Sequence, residues 1–183
     1  MLHTAVAMLA HEGIAGFTTR KVANGAQTSL PAVYELFGDR AGLVREMFFE
    51  GFRQLRLRFG RVRDTEDARA DLLAVVREYR LFVRDNPHLA QVMYSRPFTD
   101  FDPGPHEHAA TAAAREFLVA HVRRCLDAGV LAGDETDIAH VLLALAQGLA
   151  AQETAGWLGT SAASRDRRWR LAFDAALAGL APT

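Results

Sequence analysis

Apolar residues recur along this chain every three or four positions and almost nowhere every two. Leu72, Val75, Val76, Tyr79, Phe82 and Val83 mark one side of a helix over about 68–85. Leu43, Met47, Phe48, Phe52, Leu55 and Phe59 do the same over about 40–62. A half-buried strand needs strict alternation, and no stretch longer than a few residues shows it. Alanine is plentiful and β-branched residues are sparse, which also favours helices. The chain is therefore predicted to be all-α.

The punctuation supplies the count. Gly13, Asn24-Gly25, Gly38-Asp39, Asn86-Pro87 and Gly129 interrupt the periodic stretches, and three prolines fall within Ser95–Pro105. About nine helices result. The first spans about 2–12, and Thr18 caps a second that continues through Val22 and Ala23. Ser29 caps a third, which tolerates Pro31 in its first turn and carries on to Phe37. Asp39 is placed to cap the fourth, over 40–62. The rest run over about 68–85, 88–94, 106–128, 135–157 and 163–180. The chain is read as a unit over 1–45 followed by a larger one over 46–183.

Half of the 183 residues are apolar, enough to bury a core. No run approaches the ~20 apolar residues of a membrane span, and Met1–Ala10 does not read as a signal peptide. One cysteine, Cys125, allows no internal disulfide and suits a reducing, cytoplasmic setting. The net charge of −1 is unevenly spread. Residues 1–63 hold nine basic and five acidic side chains, and the remainder holds twelve and seventeen. Only the front of the chain therefore suits a polyanion.

That front contains the stretch "TSLPAVYELFGDRAGL", Thr28–Leu43. Two short helices sit on either side of a turn at Ala26–Thr28, the layout of a helix-turn-helix. In that geometry the second helix presents its N-terminal residues to the major groove while the first braces it. Val22, Ala26, Val33 and Phe37 are expected to share a small core, leaving the Tyr34 hydroxyl near a phosphate. Thr18 and the Asp39-Arg40 helix start place backbone N–H groups and a guanidinium beside phosphates. Thr28, Ser29, Leu30 and Ala32 would face base edges, with Leu30 available to a thymine methyl.

The longer run "FTTRKVANGAQTSLPAVYELFGDRAGLV", Phe17–Val44, resembles the DNA-binding signature of the TetR family of transcriptional regulators. The resemblance rests on Thr18, the Val22-Ala23 pair, Ser29, the Val33–Phe37 run with Tyr34 and Phe37, and a basic residue shortly before Leu43. It covers about a quarter of the chain. "REYRLFVRDNPHLAQVMY" and "ALAQGLAAQETAGWLG" are similar to segments of the ligand domain in some subgroups. The resemblance implies DNA contacts from Thr18, Thr19, Lys21, Gln27, Thr28, Ser29, Leu30, Pro31, Ala32, Tyr34 and Arg40. Gln27 stands where the family usually has Gly, so the turn is expected either to be strained or to take a different backbone conformation. The resemblance further implies a homodimer on operator double-stranded DNA, a small-molecule effector, no membrane partner, and repression as the commoner output.

The remaining helices suit those two tasks. Ile138, Val141, Leu142, Leu145 and Leu149 form one stripe, with Ala144, Gly148 and Ala151 allowing close approach. Trp169, Phe173, Ala176 and Leu180 follow a bundle-like 4-3-4 spacing. The expected dimer seam is Leu142, Leu145, Leu149, Trp169, Phe173 and Leu180. An effector pocket is expected from Phe52, Tyr79, Phe82, Met93, Tyr94, Phe98, Phe101, Phe117, His121, Cys125 and Gln147. Aromatic walls with a few polar handles suit an apolar or amphipathic ligand.

Other chemistry finds less support. His106, Glu107 and His108 give two local imidazoles where zinc wants three or four convergent ligands. Cys125 and His121 lie one helical turn apart, with no oxyanion loop or third orienting residue. Neither an enzyme nor a cofactor is expected. The competing class is a helical small-molecule-binding or interaction protein with a vestigial helix-turn-helix, and Leu30 and Gln27 are the residues that favour it.

Overall fold

A computed structural model describes residues 1–95 and 97–182. Every regular element among them is an α-helix. They are α1 (Leu2–Gly16), α2 (Thr19–Gly25), α3 (Leu30–Phe37), α4 (Arg40–Phe59), α5 (Ala68–Asp85), α6 (Pro87–Tyr94), α7 (Pro105–Asp127), α8 (Glu135–Thr154) and α9 (Ala162–Gly179). The all-α, nine-helix reading is what the described residues adopt. Gly13 breaks the helical run of α1 as expected. It takes φ 66°, kinks the helix, and lets one more turn follow to Gly16. The loop expected over Ser95–Pro105 joins α6 to α7, with Arg96 outside the described residues.

The residues group into two compact units, Met1–Leu55 with Asp85–Ala112, and Arg56–Arg84 with the chain from Ala113 onward. The boundary expected after residue 45 falls inside α4. In the first unit Ala5, Leu9, Val22, Ala23, Val33, Leu43 and Met47 are buried beneath the short helices. Phe48 sits among Phe52 and Phe101, with ring centroids 4.9 and 5.6 Å away, and Phe17 meets Phe98 at 5.7 Å. The α6–α7 loop is thus pinned to this unit by Phe98 and Phe101.

The α3–α4 junction is tight. Gly38 leaves α3 at φ 79°, Asp39 Oδ1 accepts the Gly42 amide at 2.7 Å, and α4 begins at once. A Cβ on Gly42 would collide with the carbonyl oxygen of Phe37.

In the second unit α5, α8 and α9 meet at one carboxylate. Glu153 accepts both prongs of Arg80 at 2.8 and 2.9 Å and the Trp169 indole N–H at 2.7 Å. Arg80 also reaches Asp166 at 2.8 Å and lies over the Trp169 ring. Burial pushes the Glu153 carboxyl up, yet Arg80, Trp169 and Arg165 outweigh it and hold the group below the ordinary glutamate range. The loop before α5 is tied down separately. Asp71 accepts the Thr65 amide and hydroxyl at 2.7 and 2.8 Å and Arg124 at 2.8 Å.

Two stability outcomes follow from these junctions. Gly42→Ala should cost about 1–3 kcal/mol, the usual range for forcing a methyl into a filled space, read from urea unfolding. Glu153→Gln should remove about 1.5–3 kcal/mol at neutral pH, the range for hydrogen bonds to charged groups. A lowered folded pKa means that the stabilisation is complete above about 4.3 and is lost as pH falls through the folded value. The gap between Glu153→Gln and the parent should therefore close in acid, and a pH-independent gap would contradict the electrostatic account.

Candidate nucleic-acid interface

The two short helices are built by their caps. Thr18 accepts the Lys21 amide at 3.3 Å, and Ser29 accepts the Ala32 amide at 3.2 Å. Each satisfies a donor that a helix start leaves open. Between the helices Gln27 adopts φ 52°. The Thr28 amide donates back to Ala23 and the Gln27 amide to Asn24, at 2.9 and 3.1 Å. The turn therefore keeps the left-handed conformation that glycine favours and carries it on a glutamine, which accepts the steric cost.

Val22 and Val33 are fully buried where α2 and α3 cross, and Ala26 and Phe37 are half-buried beside them. The opposite face of α3 is open. Pro31 and Tyr34 are exposed, and Leu30 and Ala32 are half-buried. Gln27, Ser29 and Thr18 are exposed at its front, with Thr28 half-buried.

Beyond the capping Thr18 and Ser29, the expected contact residues Thr19, Tyr34, Lys21 and Arg40 are also engaged inside the chain. Thr19 is buried, with its hydroxyl 3.4 Å from that of Tyr34, so it supports the tyrosine from below. Lys21 is paired with Glu12 and donates to the Gly16 carbonyl. Arg40 donates to Asp100 at 3.0 Å and lies 4.9 Å from the Phe98 ring centroid. One turn further along, Arg45 donates to Glu107 at 2.7 Å. Burial pushes the Glu107 carboxyl up, but its own amide, the Gly104 amide and Arg45 together hold it below the ordinary range. Glu107 is thus a structural anion within the His106–His108 triplet. Among the described residues no three His, Cys, Asp or Glu side chains are placed to hold a metal.

Sequence reasoning passed over Arg20 and Asp100. Arg20 is exposed in the first turn of α2 and has no acceptor among the described residues. Its signal was a basic residue directly after the Thr18-Thr19 pair. Asp100 had no local signal, because it meets Arg40 from 60 positions away.

The expected effector residues divide between the units. In the first, Phe52, Met93, Phe98 and Phe101 are buried and Tyr94 is half-buried against Phe52, 5.8 Å between centroids. In the second, Tyr79, Phe82, His121 and Cys125 are buried and Phe117 and Gln147 half-buried. Burial pushes the Tyr79 hydroxyl up and the Cys125 thiol up, and that thiol donates to the Ala68 carbonyl. His121 lies 4.7 Å from Phe117 and donates through Nδ1 to its carbonyl at 2.9 Å. Its Nε2 is left buried without a hydrogen-bond partner, 3.4 Å from Asp64.

Of the six residues expected at a dimer seam, Leu142, Trp169 and Phe173 are interior to their own chain, while Leu145, Leu149 and Leu180 are half-buried. The open face of α8 instead carries Val141, Ala144, Gly148 and Ala151, and that of α9 carries Leu171, Ala175 and Ala178. Val141 and Leu171 are 53 and 67 % exposed. No described helix is long and apolar enough to cross a membrane.

Residues 1–47 match the family described as "Bacterial regulatory proteins, tetR family", and residues 72–176 match "Tetracyclin repressor-like, C-terminal domain". No curated protein matches the chain. Among solved structures, a protein of unknown function from Rhodococcus sp. RHA1 is 27 % identical, with a TM-score of 0.83 over 99 % of this chain and 93 % of that one. The TetR family regulator PfmR from Thermus thermophilus gives a TM-score of 0.67 at 17 % identity, over 81 % of this chain and 83 % of that one. A TetR variant from Acinetobacter baumannii AYE, in complex with minocycline, gives 0.69 at 16 % identity, over 97 and 92 %. With its helix-turn-helix matched at one end and more than half its length matched beyond, the chain belongs to the TetR family of transcriptional regulators.

Proposed function

We propose that this regulator is a repressor that grips a palindromic operator as a homodimer and releases it when a small apolar or amphipathic effector binds. The observation that carries the reading is the open N-terminal face of α3, capped by Ser29 and held from behind by Val33. An α-helix fits the major groove, and its first residues are the ones that reach base edges. Thr28, Leu30, Pro31 and Ala32 stand at that face, and Tyr34, Arg20, Lys21 and Arg40 are the side chains for phosphates. Lys21 and Arg40 would exchange Glu12 and Asp100 for phosphate oxygens.

A palindrome calls for two copies, with reading helices about 34–36 Å apart. The exposed strips on α8 and α9 support such a pairing. Val141, Ala144, Gly148 and Ala151 follow a 3-4-3 spacing, as do Arg168, Leu171, Ala175 and Ala178. Small residues at those positions let helices approach closely, and a two-fold axis would pair each strip with its copy. For the effector, His121 offers a buried acceptor beside an aromatic wall, suited to a ligand hydroxyl or N–H. A ligand that favours a spacing other than the DNA-competent one draws the population away from the operator.

Operator titration at several salt concentrations tests the phosphate set. Arg40→Ala should weaken binding to every DNA sequence alike and lower the salt slope by about one. Asp100→Asn should act oppositely, freeing Arg40 and tightening binding up to about fivefold at low salt, the limit for an exposed pair. Loss of base preference in Arg40→Ala, with nonspecific affinity intact, would refute the phosphate assignment.

The dimer is tested by Leu171→Glu, which alters a side chain that the isolated chain leaves in water. Sedimentation should show monomers, and operator binding should fall with them while the thermal midpoint of the monomer stays near that expected for a surface change. A Leu171→Glu protein that remains dimeric and binds operator normally would remove α9 from the interface.

A further inference from the structure

The second unit carries a groove whose lining residues are not among those proposed above for DNA reading or for pairing of copies. It has a volume of about 520 Å³ and runs between one face of α5 and one face of α9. Its apolar lining includes Leu73, Val76, Leu81, Trp169 and Phe173. Trp169 and Phe173 stack with centroids 5.9 Å apart and planes 6° from parallel, and being almost wholly buried they form the floor beneath the half-buried Leu73 and Leu81. The volume falls within the roughly 300–1,000 Å³ of small-molecule sites. From Leu73 to Arg84 the α5 side is about 16 Å long, at 1.5 Å per helical residue.

Charge along its edges is the telling feature. Three other guanidiniums on these helices are matched. Arg69 holds Asp174 at 2.7 Å, Arg80 holds Glu153 and Asp166, and Arg165 lies 3.5 Å from Glu153. Both carboxylates that line the groove are therefore already neutralised. Arg77 on α5 and Arg170 on α9 line the same groove, are exposed, and have no acceptor among the described residues. Two unmatched cations thus face each other's helices above an apolar floor.

We propose that this groove binds a small amphipathic anion, with its acyl or aryl body along the half-buried Leu73 and Leu81, above the Trp169–Phe173 floor, and its carboxylate or phosphate head held by Arg77 and Arg170. A guanidinium fork matches either head with two parallel hydrogen bonds. A neutral or cationic ligand of the same shape would leave both guanidiniums unmatched. A nucleic acid is disfavoured, because residues 64–183 carry seventeen acidic against twelve basic side chains. The site is separate from the His121 group and does not depend on the operator reading.

The chain has two tryptophans, and Trp157 is 78 % exposed, so Trp157→Phe leaves Trp169 as the only indole reporter. In that background decanoate, decyl phosphate and decanol are titrated against Trp169 fluorescence. A saturable change is expected with decanoate, decyl phosphate or both, and the better of the two names the head group. Decanol should need at least tenfold more. Arg77→Gln with Arg170→Gln should weaken the anion at least tenfold, about 1.4 kcal/mol, with an unchanged thermal midpoint because neither side chain has an internal partner among the described residues. Arg77→Lys with Arg170→Lys should fall between, keeping the charge without the fork. Equal responses to decanol and the anions, or none at all, would overturn the proposal. So would a response indifferent to both arginines but abolished by His121→Asn, which would place the probe at the other site.

Discussion

Helices of seven and eight residues do not hold themselves together in water, and α2 and α3 are of that length. Everything the front of the chain does depends on fixing them from outside. Val22 and Val33 bury completely against each other's helix, and Thr18 and Ser29 close the two open helix starts. The left-handed Gln27 sets the angle at which the chain re-enters helix. The reading face is therefore rigid because its back is packed, and its front is left free for a partner.

The same unit shows how basic side chains are kept from being indiscriminate. Arg45 is bound to a buried Glu107, and Lys21 and Arg40 rest on Glu12 and Asp100. Glu107 is nearly inaccessible, so its pair is structural. The Arg40–Asp100 pair is open on both sides, and such pairs contribute about 0–1 kcal/mol. On the proposed operator reading, a phosphate would therefore displace Asp100 at little cost.

Much of this was legible in the residues. Local signals set the helices, since Ser29, Asp39 and Asn86-Pro87 act within a few positions of themselves. The α5 boundaries follow from a clean apolar stripe ended by Asn86-Pro87. Which apolar residues stay open to solvent on α8 and α9 was harder to read, for a physical reason. Periodicity marks which residues are apolar, but not what covers them. On α8 the bulky stripe through Ile138 and Leu142 turned inward, and the small-residue strip through Ala144 and Gly148 stayed open. Trp169 and Phe173 were likewise taken up by their own chain, drawn in by Glu153 and Arg80. Long-range pairs such as Arg40–Asp100 leave no trace in local spacing at all.

The division of residues also bears on how an effector could matter. Whatever geometry links the effector site to the reading helices, the coupling free energy must be the same in both directions. An effector that loosens the operator complex by some factor must itself bind the operator complex more weakly by that factor. Typical couplings of about 1–3 kcal/mol correspond to roughly 5–150-fold. The buried Nε2 of His121, without a hydrogen-bond partner and 3.4 Å from the Asp64 carboxylate, is one group through which such a ligand would act. A ligand donor that reaches it would take the place of the exposed Asp64 carboxylate and satisfy a group the protein has already desolvated. Its effect on the operator then depends only on whether that bond is made equally well in the DNA-competent and DNA-released states.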